Sequence, residues 1–190
     1  ARSTFRFGMS NQSFAYGSVR YVGAEIRAVI LSKMQIDVQK NICVISGESI
    51  AVEAANLAAE GTVIAVEYNK HDRKTLEDNV SQFGLNNVSI VDHVDEETFQ
   101  NLPVPDVTML VASASMEQEM AYLLKLNPNM EFVIYTLDFG VAASMSELCK
   151  KMGIIDVEII QIAVSHLNQK HNFETQPAPW IISGKANGEG

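Results

Sequence analysis

The chain has 190 residues, 47% of them apolar and 19% charged, with a formal net charge of −9; this is enough apolar chain for one core without disulfides and excludes a disordered or fibrous class. The acidic balance argues against nucleic acid as a partner, because phosphate binding is driven by clustered Lys and Arg. No apolar run approaches the roughly 18 residues of a membrane span, and the opening ARSTFRFGMS lacks the order of a signal peptide, so a cytoplasmic location without membrane contact is expected.

Residues 1–21 are expected to form an irregular or β segment packing on a single domain over 22–185, with 186–190 a flexible tail. The first 33 residues carry Arg2, Arg6, Arg20, Arg27 and Lys33 against one acid, Glu25. This locally basic stretch reads either as a solvated arm or as part of a pocket for an anionic ligand. Ile26, Val29, Ile30 and Met34 recur at helical spacing and predict a helix within 22–34. NICVIS (41–46) is a short, β-branched apolar run suited to a strand buried on both faces. A helix over 49–60 follows, with Ser49 as its cap and Gly61 placed to end it.

The pattern then repeats. TVIAVE (62–67) is a strand, and 70–83 a helix stopped by Gly84; VSIVD (88–92) and VTMLVA (107–112) are the third and fourth strands. Between those two, DEETFQNLPVPD has room for one short helix before Pro103 and Pro105. A helix over 115–126, the strand EFVIYT (131–136) and a helix over 139–152 ended by Gly153 complete the alternation. Strands alternating with helices of this length require right-handed parallel crossovers, hence an α/β fold with both sheet faces covered. After Gly153, VEIIQIAVS and PWIISG are two strands joined by a loop without a helix, so the sheet finishes with a reversed strand. Cys43 and Cys149 lie in patterned segments and read as buried packing.

Ligands of open α/β sheets sit beyond the carboxyl ends of the strands, near the switch in strand order. That rule selects Ser46, Gly47, Glu48 and Ser49 after the first strand, Glu67 and Tyr68 after the second, Asp92 to Asp95 with His93 and Val94 after the third, and Val111 to Ser115 after the fourth. Glu67 stands about 20 residues after the first turn, where a carboxylate can accept both hydroxyls of a nucleoside ribose; the alternative is an ordinary strand-end acid. The first turn has only Gly47 to let backbone approach a ligand, and Glu48 adds a negative side chain beside it. His166, Lys170 and His171 form a small basic loop without metal-ligand spacing, so no metal is expected.

Several segments taken together resemble the decarboxylating precorrin methyltransferases of cobalamin (vitamin B12) biosynthesis, the CbiT family. They are GMSNQSF (8–14), AEIRA (24–28), VEAA (52–55), GTVIAVE (61–67), NVSQFGLNNV (79–88) and IISGK (181–185). The resemblance implies a class I methyltransferase (Rossmann-like) fold, doubly wound, with a mostly parallel seven-stranded sheet and an antiparallel last strand. It also implies an S-adenosylmethionine-dependent enzyme that methylates carbon 15 of a precorrin and promotes loss of the acetate carboxylate on carbon 12. By carry-over, Glu67 and Tyr68 hold the ribose side of the cofactor, Ser46 to Ser49 pass under its methionine part, and His93, Val94 and Val111 border it. Arg20, His166 and Lys170 would meet the polycarboxylate substrate. A homo-oligomer, often a tetramer in such enzymes, is implied as well.

The departures fall around the site. The acid and glycines of the family's first motif are here Ile42, Val44, Ser46 and Glu48; its Pro-x-Thr-Lys is RYVG (20–23); its glycine-rich segment after the fourth strand is VASAS (111–115); and an expected arginine is His166. These changes predict weakened or lost cofactor binding. Two further readings therefore stand beside the methyltransferase: a catalytically inactive member of the fold acting as a binding or assembly partner, and a methyltransferase for another small molecule or RNA.

Overall fold

The computed structural model describes residues 6–14 and 22–188. After a short 3-10 turn at Asn11–Ser13, the elements run α1 (Ala24–Lys33), β1 (Asn41–Ile45), α2 (Glu48–Leu57), β2 (Thr62–Val66), α3 (Lys70–Gln82), β3 (Val88–Val91), α4 (Glu96–Phe99), β4 (Val107–Val111), α5 (Met116–Leu126), β5 (Glu131–Thr136), α6 (Phe139–Lys151), β6 (Ile154–Gln161), β7 (Ser165–Leu167), β8 (Phe173–Thr175) and β9 (Trp180–Ala186). The main sheet has seven strands in the order β3-β2-β1-β4-β5-β9-β6. The first five are parallel, and β9 runs antiparallel to both β5 and β6. The doubly wound, mostly parallel sheet with a reversed last strand is the expected architecture.

The period-2 geometry of a strand explains how continuous apolar runs serve two cores. In β1, Ile42 and Val44 pack with α1, α2 and α3 on one face, through residues such as Ile30, Ile50 and Leu76. Cys43 and Ile45 face the other way, toward Phe99, Met120 and Met145 of α4, α5 and α6. Both cysteines are buried and unpaired. Burial pushes the Cys43 thiol up to about 12, so it remains a protonated packing group.

Several local expectations are corrected. The second helix begins at Glu48 with Gly47 as its N-cap; Ser49 lies inside it, where its hydroxyl accepts from Arg27 Nη1 at 3.2 Å. Gly61 does not end that helix, which stops at Leu57. A side chain at Gly61 would instead run into the carbonyl of Lys40, so glycine is required by close backbone approach. Gly84 and Gly153 do follow α3 and α6 with φ of 64° and 74°, the left-handed conformation that glycine tolerates at a helix end. The connection read as a plain loop holds the β7–β8 hairpin, in which Leu167 faces Phe173. The expected tail is tied down through Gly188: Ala186 is the buried end of β9, and Asn187 and Gly188 donate to Gly153 O and Asn129 Oδ1.

One cation of the basic lead stretch, Arg27, is neither solvated nor free for a ligand. Arg27 is 1% exposed and Glu53 0%, with Arg27 Nε 2.9 Å from Glu53 Oε1. The same guanidinium donates to Asn11 Oδ1 at 2.9 Å and to Met9 O, while the Glu53 carboxylate accepts from the backbone N–H groups of Gly8 and Met9 at 3.2 and 3.1 Å. Burying this ion pair is tolerable because nearly every donor and acceptor is engaged, and the result anchors residues 8–11 on α1 and α2. Lys33 pairs with Glu158. Arg2 and Arg20 lie outside the described residues.

Candidate functional site

Strand order reverses between β1 and β4, so the crevice at the carboxyl edge opens between the turn after β1 and the segment after β4. On the first side, Ser46 and Glu48 have φ of 60° and 21°, conformations that non-glycine residues adopt at a cost of about 1–2 kcal/mol each. Where the family's glycines are replaced, the backbone therefore keeps a glycine-type path. Gly47 has a separate reason to be glycine: a Cβ there would lie 2.5 Å from Val44 Cγ1 and 3.2 Å from Met109 Sδ.

Glu67 follows β2 and meets this turn, with Glu48 N–H donating to its Oε1 at 3.2 Å. The side chain is 2% exposed. Burial, reinforced by the carboxylates of Glu48 and Asp72, pushes the Glu67 carboxyl up to about 8 despite the Glu48 N–H. At neutral pH it is mostly protonated. Arg73 holds the strand end from outside, its Nη1 donating to the carbonyls of Glu67 and Tyr68 at 2.9 and 3.0 Å. The acid thus stands at the strand end that the sequence selects, but it is turned inward and covered by the turn after β1. The donor set at this corner, a carboxyl and the Glu48 backbone N–H, is of the kind that the hydroxyls and carboxylate of a nucleoside-bearing ligand would bond.

Tyr68 is 45% exposed and packs edge-on against His93, ring centroids 6.5 Å apart. Its hydroxyl donates to Glu119 Oε2 on α5, so the phenol spans the crevice from the β2 side to the β4 side. Val94 packs against the α4–α6 core and Val111 against the α1–α3 core, flanking the opening. Ser113 and Ser115 are exposed at its rim, their hydroxyls 3.1 Å apart. The structure therefore gathers Ser46, Gly47, Glu48, Glu67, Tyr68 and His93 along one edge, and takes Ser49 away from it into the Arg27 network.

The substrate candidates separate. His166 lines a cavity of about 360 Å³ together with Asn11, Gln12, Glu25, Ile162 and Gln176, and its Nε2 is 3.7 Å from Glu25 Oε1. Lys170 stands exposed in the turn of the β7–β8 hairpin, its N–H bonded to Asn168 Oδ1, and does not line that cavity. Arg20 is outside the described residues. Sequence reasoning missed Glu119 and the acid Glu25 in the cavity wall. Glu119 sits in an ordinary amphipathic helix pattern, and only the tertiary packing makes it a buried acid. Among the described residues, no three His, Cys, Asp or Glu side chains are grouped to hold a metal, and no helix is long and apolar enough to cross a membrane.

Known structures share this fold. The precorrin-6Y C5,15-methyltransferase of Geobacter metallireducens GS-15 superimposes with a TM-score of 0.86 at 23% identity, over 95% of this chain and 98% of that one. The C-terminal domain of the Rhodobacter capsulatus precorrin-6Y C5,15-methyltransferase gives 0.76 at 19% identity, covering 94% and 97%. The precorrin 8W decarboxylase of Methanobacterium thermoautotrophicum gives 0.69 at 19%, covering 93% and 95%. These likenesses establish the class I methyltransferase fold. No curated protein sequence matches the chain. The family model described as precorrin methyltransferase domain matches residues 20–179, a span that contains both sides of the crevice and the cavity wall from Gly23 onward, and the chain belongs to that family.

Proposed function

We propose that this domain transfers a methyl group from S-adenosylmethionine to a ring carbon of a precorrin, with carbon 15 as the acceptor and loss of the carbon 12 acetate carboxylate as the accompanying step. The observation that carries the reading is the contact between Glu67 at the end of β2 and the left-handed turn after β1, at the switch point of a precorrin methyltransferase domain. The cofactor supplies a methyl group made electrophilic by the sulfonium that bears it. Glu67 is the group that grips the ribose, the backbone of Ser46 to Glu48 seats the methionine part, and Tyr68 and His93 flank the base. Orientation then supplies much of the rate, because holding the acceptor carbon in line with the methyl turns a bimolecular encounter into a positioned one.

The acceptor approaches from the cavity beside α1, whose volume suits a pyrrole edge with its side chains better than a whole macrocycle. His166 is the hydrogen-bonding candidate there for a substrate carboxylate, with Glu25 beside it. The exposed pair Leu167 and Phe173 on the hairpin supports a homo-oligomeric contact, a tetramer being the form expected for such enzymes.

Titration calorimetry with S-adenosylhomocysteine, together with transfer of a labelled methyl group to a precorrin, tests the proposal. Saturable heat and labelled product are expected, with weaker affinity than a pre-opened site because the Glu48–Glu67 bond must first be broken. Absence of binding at millimolar ligand, both in the wild type and in Ser46→Gly, overturns the enzyme reading and leaves the binding or assembly partner.

A further inference from the structure

Glu119 is 4% exposed, yet only one of its carboxylate oxygens has a partner among the described residues. Oε2 accepts from the Tyr68 hydroxyl, while the buried Oε1 accepts from nothing. A buried carboxylate oxygen left without a donor is costly, and such exceptions call for a specific explanation. The location supplies one. Glu119 lies on α5, across the switch-point crevice from Glu67, and Tyr68, the residue next to Glu67, reaches it. With a ribose held by Glu67 as proposed above, Tyr68 and His93 form the path from it toward α5.

We infer that Glu119 is the residue that reads the base of the nucleoside: the oxygen left without a donor, Oε1, accepts a hydrogen bond from an exocyclic amino group, and the Tyr68 phenol, which holds Oε2 across the crevice, swings aside to admit the base. This inference rests on the cofactor reading above and adds a specificity to it. A carboxylate offers only acceptors to an amino group. An oxo group at the same ring position would face those acceptors with another acceptor and leave them unpaired. A site built to bond an N–H rejects an analogue that lacks it far more strongly than an apolar pocket rejects a change of size. Tyr68 is free to yield because almost half of its surface is exposed.

The test measures binding of S-adenosylhomocysteine and S-inosylhomocysteine, which differ by amino against oxo on the base, to wild type, Glu119→Gln and Tyr68→Phe. The wild type is expected to prefer the adenosine ligand by roughly tenfold or more. In Glu119→Gln, whose amide can also donate, that preference should collapse or invert. In Tyr68→Phe it should persist with tighter binding, because no phenol has to be displaced. Equal binding of the two ligands by the wild type, or an undiminished preference in Glu119→Gln, overturns the assignment while leaving the cofactor reading intact. If neither ligand binds the wild type, the cofactor reading itself has failed and the assignment falls with it. The wild-type comparison needs no substitution, so a variant that fails to fold does not remove the test.

Discussion

Replacing Glu53 with alanine should release the segment that carries one wall of the cavity. Glu53 is wholly buried, and its carboxylate is the partner of the equally buried Arg27 as well as the acceptor for two backbone N–H groups, those of Gly8 and Met9. Removing one member of a buried pair leaves the other charge uncompensated, which costs about 3–5 kcal/mol. Domains of this size have a total stability on the order of 5–15 kcal/mol, so the loss is a large fraction of it. At roughly 2–4 °C per kcal/mol for a chain of this length, the melting temperature should fall by about 10 °C. Asn11 is also held by Arg27 and lines the cavity with Ser10 and Gln12, so that wall should loosen together with the fold. Calorimetric melts give the stability change, and hydrogen exchange at the Gly8 and Met9 amides reports the segment. A shift under about 2 °C, with those amides still protected in Glu53→Ala, would refute the claim that the pair is the anchor. Replacing both partners by apolar residues of similar volume should restore much of the loss, as buried pairs elsewhere do.

Two further outcomes follow from the cofactor corner. Ser46→Gly removes a side chain from a left-handed backbone position; relief of about 1–2 kcal/mol of strain, partly offset by about 0.5–1 kcal/mol of extra unfolded-state entropy, should leave the variant as stable as the wild type or slightly more so. A drop of more than about 1 kcal/mol in denaturant melts would show that the serine side chain contributes a contact. Glu67 gives a pH signature. Its carboxyl is pushed from 4.5 in the open chain up to about 8 in the fold, so the folded state favours the protonated form, and the stability this gives is complete below about pH 4.5, declines as pH rises toward 8, and is gone above that. Glu67→Gln cannot ionise, so it should gain on the wild type between pH 5 and pH 9; a stability difference that stays constant across this range would contradict the inward, buried placement of the acid.

The alternation of elements was legible in the sequence because strand and helix periods are local. Runs such as NICVI and TVIAV are bounded by polar or turn residues, and Gly84 and Gly153 mark helix ends through a single backbone angle. The carboxyl-edge rule likewise selected Glu67 and Tyr68 without coordinates, because a residue's place at a strand end depends only on where its strand stops. Errors came where the reason for a residue lies in a distant neighbour. Gly61 looks like a helix stop, but it is glycine because the Lys40 carbonyl lies against it. Arg27 looked like part of a basic arm, but its charge is neutralised by Glu53, 26 residues away.

Composition and periodicity by themselves determined the layered α/β fold, the direction of its strands and the strand ends at which Glu67 and Tyr68 stand. Only the tertiary structure decided whether the acid at that edge faces solvent or the interior, which arginine is spent on the core, and that Glu119 meets Tyr68 across the crevice. Periodicity reports which face of an element is apolar. The protonation and pairing of a buried polar group depend on what the rest of the chain brings within a few ångströms of it, which no local pattern encodes.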